Sequence, residues 1–164
     1  METKNKLMYL LCLFFSLTAC ADDSKTNTDD DDTSSEQETK AVVTNVSVTG
    51  EENNFIFNVT VKSPDLGCNQ YADWWEVLSE EGELLYRRIL LHSHVDDQPF
   101  TRSGGPVAIT KEQVVYIRAH MNTNGYGSVV YKGSVSVGFT EHILDTDFAI
   151  DVVTEEPLPD GCAF

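Results

Sequence analysis

The chain has 164 residues, 41% of them hydrophobic, which is enough for one domain with a packed core and too much for disorder throughout. Acids outnumber Lys and Arg 27 to 11, for a formal charge of −16. That balance excludes nucleic acid as a partner, because phosphate recognition needs a basic footprint that releases counterions, and it excludes a polybasic membrane-surface module.

Residues 1–19 read as a signal peptide. Lys4 and Lys6 form a short basic region, and Leu7 to Leu17 is an apolar run broken by Ser16. A spanning helix needs roughly 20 apolar residues, so this run suits a signal sequence instead. It ends in Leu17-Thr18-Ala19-Cys20, which resembles the lipobox of bacterial lipoproteins. The resemblance implies cleavage before Cys20 and lipidation of Cys20. One acyl chain holds a protein only marginally. Two or three, at about 0.8 kcal/mol per buried methylene, hold it for good. Ala21 stands where an aspartate would resemble an inner-membrane retention signal, so the resemblance implies the outer membrane. The acids Asp22-Asp23 and Asp29 to Asp32 resemble the export signal of surface-displayed lipoproteins, or are a plain solvated spacer. The periplasmic face and the cell surface both stay open.

Residues 20–40 read as the lipidated cysteine and a disordered acidic tether. Positions 21–40 carry eight acids against Lys25 and Lys40, with no aromatic or large aliphatic side chain. Nothing there offsets an ordering cost of about 1–2 kcal/mol per residue. The aspartate run lacks the glycine and ligand spacing of a calcium-binding EF-hand loop.

The domain, residues 41–164, keeps 18 acids and seven bases and alternates at period two. Val42, Thr44, Val46 and Val48 share one face of a first strand, and Phe55, Phe57, Val59 and Val61 one face of a second, ended by Pro64-Asp65. Trp74 to Leu78 and Leu84 to Val95 flank the turn Glu80-Glu81-Gly82, predicting a hairpin. Gln98 to Pro106, with Phe100 and Arg102, reads as an exposed loop that touches a ligand or packs over a sandwich edge. Val114 to Met121 and Val129 to Val137 flank Asn122 to Gly127, a second hairpin. Phe139 to Val153 adds one or two strands, and an extended tail starts at Pro157. Seven or more short strands with regular turns predict an all-β sandwich. Val115 to Ala119 followed by Asn122 to Gly127 resembles the F strand and FG turn of fibronectin type III and immunoglobulin-like domains, with Trp75 as the core tryptophan. The chain departs from that pattern at Gln113, where those modules place a tyrosine. The resemblance implies architecture and no functional residue.

Cys12 leaves with the signal peptide and Cys20 takes lipid, so Cys68 and Cys162 remain. In an oxidising compartment they form one disulfide; the alternative is a pair of thiolate metal ligands.

If Leu85, Ile89, Leu91 and Val95 face the core, Tyr86, Arg88, Leu90, His92 and His94 share the opposite face. Likewise, inward Trp75, Val77, Val115, Ile117, Ala119 and Met121 leave Trp74, Glu76, Tyr116, Arg118 and His120 outward. Three readings follow for this face. Glu76 pairs with Arg88 or Arg118 as structure. Or Trp74, Glu76, Tyr86, Arg88, Tyr116 and Arg118 bind a carbohydrate or protein partner, rings burying area while guanidinium forks pair carboxylates. Or His92, His94 and His120 hold zinc or copper. No nucleophile elbow, P-loop, dinucleotide fingerprint or H-E-x-x-H occurs. The expectation is therefore a non-catalytic binding or assembly module without cofactor, on a lipid anchor, the metal domain being the alternative.

Overall fold

A computed structural model describes residues 39–163. The expected signal peptide, the lipobox with Cys20 and nearly all of the acidic tether lie outside the described residues. The chain forms β1 (Val42–Glu51), β2 (Asn54–Lys62), β3 (Ala72–Ser79), β4 (Leu84–Ile89), β5 (Phe100–Val107), β6 (Val115–Met121), β7 (Gly125–Tyr126), β8 (Val129–Ser134) and β9 (Gly138–Ile143), then a short 3-10 helix, Ile150–Thr154. One sheet has the order β1-β2-β5 and the other β4-β3-β6-β8-β9, with β7 paired to β6. Neighbouring strands are antiparallel. Grouping the first, second and fifth strands, with the third between the fourth and sixth, gives an immunoglobulin-like β-sandwich.

Alternation explains how the layers close. Along β2, Phe55, Phe57, Val59 and Val61 are buried while their neighbours reach toward solvent. They meet Trp75 and Val77 of β3 and Val115, Ile117, Ala119 and Met121 of β6 in the main core. Each such side chain contributes about 1.5–3 kcal/mol by leaving water. In β1 a bulge at Thr44 shifts the phase, so Val43, Val46 and Val48 face the core rather than the expected unbroken series from Val42.

Two further expectations fail here. Gln98 to Pro106 is no loop: Phe100–Val107 is β5, the edge strand of the smaller sheet. Its glycines hid it, yet one of them is a packing device. A Cβ on Gly104 would lie 2.8 Å from Trp75 Cη2 and from Tyr86 Cε1, so only glycine lets β5 approach the core tryptophan. The second failure concerns β4, which ends at Ile89 rather than running to Val95. A bulge leaves Leu85 as the extra residue between the pairs Val77–Tyr86 and Leu78–Leu84. The remaining register sets Arg88 opposite Trp75 and Arg87 opposite Glu76. Tyr86 and Arg88 therefore sit on the inner face, and Arg87 on the outer one.

The outer face of the larger sheet is covered as well. Every residue of β3 and β6 is buried. A second apolar cluster of Leu78, Tyr116, Val130 and Val152, with Leu144 and Phe148 against it, lies between that sheet and the C-terminal segment. Cys68 and Cys162 are disulfide-bonded, with Cα atoms 5.5 Å apart, as expected. The bond ties this covering segment to the loop after β2.

Candidate functional site

The outer-face residues converge, but on each other. Glu76 is fully buried. Its Oε2 accepts from Arg87 Nε at 2.8 Å and Nη2 at 2.6 Å, and its Oε1 from Arg118 Nε at 2.8 Å. Other donors of both arginines reach the covering segment. Arg87 bonds the carbonyls of Val152, Glu155 and Pro157, and Arg118 those of Phe148 and Ala149. Arg87 thus uses all five of its N–H groups. The partner of Glu76 from β4 is Arg87, not the expected Arg88, because the bulge at Leu85 inverts the phase of that strand.

The aromatics complete this interior. Trp74 stacks on His120 at 3.7 Å between ring centres, with Arg87 lying 4.5 Å from the Trp74 ring centre. Arg118 sits 3.5 Å from the ring centre of Tyr126. Burial and the nearby Glu76 carboxylate push the Tyr126 hydroxyl up to about 12. Tyr116 meets Phe148 edge-on. Trp74, Glu76, Tyr116 and Arg118, expected as a recognition face, are therefore enclosed, and Tyr86 packs inward against Trp75 at 5.7 Å.

The three histidines do not converge: His120 lies on the outer face, apart from His92 and His94. His120 Nδ1 shares a 2.7 Å hydrogen bond with Asp73 on the outer face. His94 stacks on Phe100 at 3.7 Å, and His92 Nδ1 lies 3.0 Å from the Ala163 carbonyl. Among the described residues no group of three or more His, Cys, Asp or Glu side chains is placed to hold a metal ion, so the expected His92–His94–His120 constellation does not assemble. Cys68 and Cys162, being bonded together, are not thiolate ligands.

What the sequence concealed lies on the open flank between β4 and β5, the edge strands of the two sheets. A cavity of about 150 Å³ is lined by Arg88, Ile89, Leu90, Leu91, His92, His94 and Arg102. Arg88 spans the flank, donating Nε–H to the Ser103 carbonyl of the opposite sheet at 3.1 Å and Nη1–H to the Ile89 carbonyl at 3.0 Å. Arg102 donates from Nη1 to the Thr101 carbonyl at 2.8 Å and from Nη2 to His94 Nε2 at 2.6 Å. Arginine cannot accept, so Nε2 is the acceptor and the neutral ring carries its proton on Nδ1. That Nδ1 is buried without a hydrogen-bond partner among the described residues. Burial and the Arg102 charge hold the His94 imidazole below its ordinary value, although Asp65 and Asp97 pull the other way. Asp65 fixes the wall: its Oδ1 accepts the Ala72 N–H at 3.0 Å and its Oδ2 the His94 N–H at 2.8 Å.

Most other bases of the domain have a carboxylate beside them, the exposed Lys62 of β2 apart. Arg87 and Arg118 share Glu76, Lys111 lies near Glu112 and Lys132 near Glu80. Among the described residues Arg88 and Arg102 form no ion pair with a carboxylate. A signal for this existed in the sequence, since Arg102 follows Phe100 at strand spacing, but reading the segment as a loop hid it.

The chain is 44% identical over 71 residues to a protein of Halomicrobium mukohataei (strain ATCC 700874 / DSM 12286 / JCM 9738 / NCIMB 13541) described as "Putative lipoprotein". The match covers 43% of this chain and 35% of that protein, so the chain spans about a third of its relative's length. No family model matches the chain. No solved structure matches it either. Among the described residues no helix is long and apolar enough to cross a membrane.

Proposed function

We propose that this chain is a lipid-anchored, non-catalytic binding module. Cys20 holds it at the outer membrane, on the periplasmic face or the cell surface, and the acidic segment spaces the sandwich from the bilayer. The lipobox Leu17 to Cys20 and the similarity to a protein described as a lipoprotein support the anchor. One observation carries the binding reading: in a domain with 18 acids and seven bases, Arg88 and Arg102 line a cavity with no carboxylate partner among the described residues. An unneutralised pair of guanidiniums at a cavity is a poised recognition element, because a ligand anion there gains charge-assisted bonds that the fold leaves unmade. The recognition surface is thus the flank of the sandwich rather than the outer sheet face.

A thermal-shift screen of the full chain against sugars, organic acids and amino acids tests this reading. At least one compound raises the melting temperature of the native chain and not that of the Arg88→Ala/Arg102→Ala double variant. A panel that moves neither protein removes the reading. Metabolic labelling with an alkyne fatty acid tests the anchor, since the Cys20→Ala variant then loses both label and membrane fractionation.

A further inference from the structure

From the flank geometry we infer that the cavity between Arg88 and Arg102 is a carboxylate-binding subsite for a small ligand of monosaccharide size or less. The inference rests on the binding-module reading and gives it a ligand chemistry. Each guanidinium spends two N–H groups on neutral acceptors, which among the described residues leaves three on Arg88 and three on Arg102. Planar forks with spare donors match the two oxygens of a carboxylate.

Size and charge narrow the ligand further. A cavity of about 150 Å³ is on the scale that holds a single six-membered ring, well under the roughly 300–1,000 Å³ of sites for drug-sized molecules. Ile89, Leu90 and Leu91 give it an apolar wall for a carbon skeleton. The buried His94 ring, accepting from Arg102, is held in its neutral form and adds no charge to the two arginines. Asp65, bonded to the His94 N–H, and Asp97 nearby both oppose any further negative charge. A monoanion is therefore favoured over a phosphate or sulfate dianion.

The two arginines also see different surroundings, which gives the subsite a direction. Arg102 lies 5.4 Å from the Phe100 ring centre and is braced by His94. Arg88 reaches across from the other sheet. A carboxylate between them joins the two edge strands through one anion, so its binding stiffens the open flank.

The test is a titration of the full chain, purified in detergent and ¹⁵N-labelled on arginine, following the Nε–Hε signals of Arg88 and Arg102 at constant ionic strength. The probes are glucuronate, acetate, glucose, sulfate and inorganic phosphate. Glucuronate moves both signals saturably and glucose leaves them in place. Arg88→Gln and Arg102→Gln each weaken glucuronate binding by about tenfold or more. Acetate binding as well as glucuronate identifies the carboxylate alone as the ligand, whereas weaker acetate binding adds the sugar body to it. Sulfate or phosphate binding as tightly as glucuronate overturns the carboxylate assignment. Glucose moving the signals as far as glucuronate also overturns it while leaving the binding module intact. Signals unmoved by every probe, in a screen that also yields no stabilising compound, remove both. Because the native chain carries the primary readout, a variant that fails to fold leaves the result standing.

Discussion

Glu76 stands directly across the sheet from Arg118, whose Nε donates to Glu76 Oε1 at 2.8 Å, and solvent reaches neither side chain to any useful extent. Two charges out of water are costly, and only near-complete hydrogen bonding repays that cost. The repayment comes from Arg87, which donates twice to the other carboxylate oxygen, and from five carbonyls of the C-terminal segment that the two arginines grip. The charged trio is a fastener between a sheet face and the chain that covers it. The Glu76 neighbourhood, which in the sequence looks like a recognition face, is thereby spent on the fold.

Substituting Glu76→Gln leaves two buried guanidiniums facing an amide whose NH₂ group cannot accept. The expected loss is about 3–5 kcal/mol of stability, read from the midpoint of chemical denaturation. Limited proteolysis should then cut within 144–160 at protease levels that leave the native chain whole. A variant as stable as the native chain would show that the trio fastens nothing.

How much of this was legible varies with the strand. β2 and β6 alternate cleanly, so Phe57, Val59, Ile117 and Ala119 were assigned to the core from spacing alone. The disulfide followed from cysteine accounting. The β4 phase was not legible, because a one-residue bulge at Leu85 leaves no compositional trace yet sends Arg87 to Glu76 and Arg88 to the flank. β5 was masked by Gly104, Gly105 and Pro106, residues depleted in strands, when Gly104 is there because a tryptophan needs the space. The candidate site depends on both misread strands, so it could not be assembled before the register was known.

The Cys68–Cys162 bond closes a loop spanning 94 residues. In the chain-entropy model that cross-link is worth about 4–5 kcal/mol through the unfolded state. Cys162→Ala should lower stability by up to that amount, and the reduced native chain should match it. A reduced chain that unfolds at the same denaturant concentration as the oxidised one would deny the bond any role in stability.

Gly104→Ala tests the account of β5. The added methyl would sit 2.8 Å from carbon atoms of both Trp75 and Tyr86, and Trp75 is fully buried, so it has no room to retreat. Overpacking of this kind costs about 1–3 kcal/mol. The near-ultraviolet circular dichroism of the tryptophans should change along with the melting temperature. An unchanged spectrum and melting point would mean that the sheets are not held this closely.

The flank histidine provides the pH dependence. Burial first, then Arg102, with a small further push from His92, hold His94 below its ordinary value of 6.5, against the pull of Asp65 and Asp97. The unfolded chain therefore takes up a proton near 6.5 while the folded chain still refuses it. Stability is full above 6.5, falls as the pH drops through that value, and stops falling once the depressed folded-state value is passed. His94→Gln should flatten the fall relative to the native chain in denaturation midpoints taken between pH 7.5 and 5. The His94 Cε1–H resonance should titrate below 6.5 in the folded protein. A carboxylate seated beside Arg102 would offset that cation, so saturating glucuronate should move the His94 midpoint upward. A midpoint that glucuronate leaves in place, in a chain that binds it, would put the carboxylate somewhere other than beside Arg102.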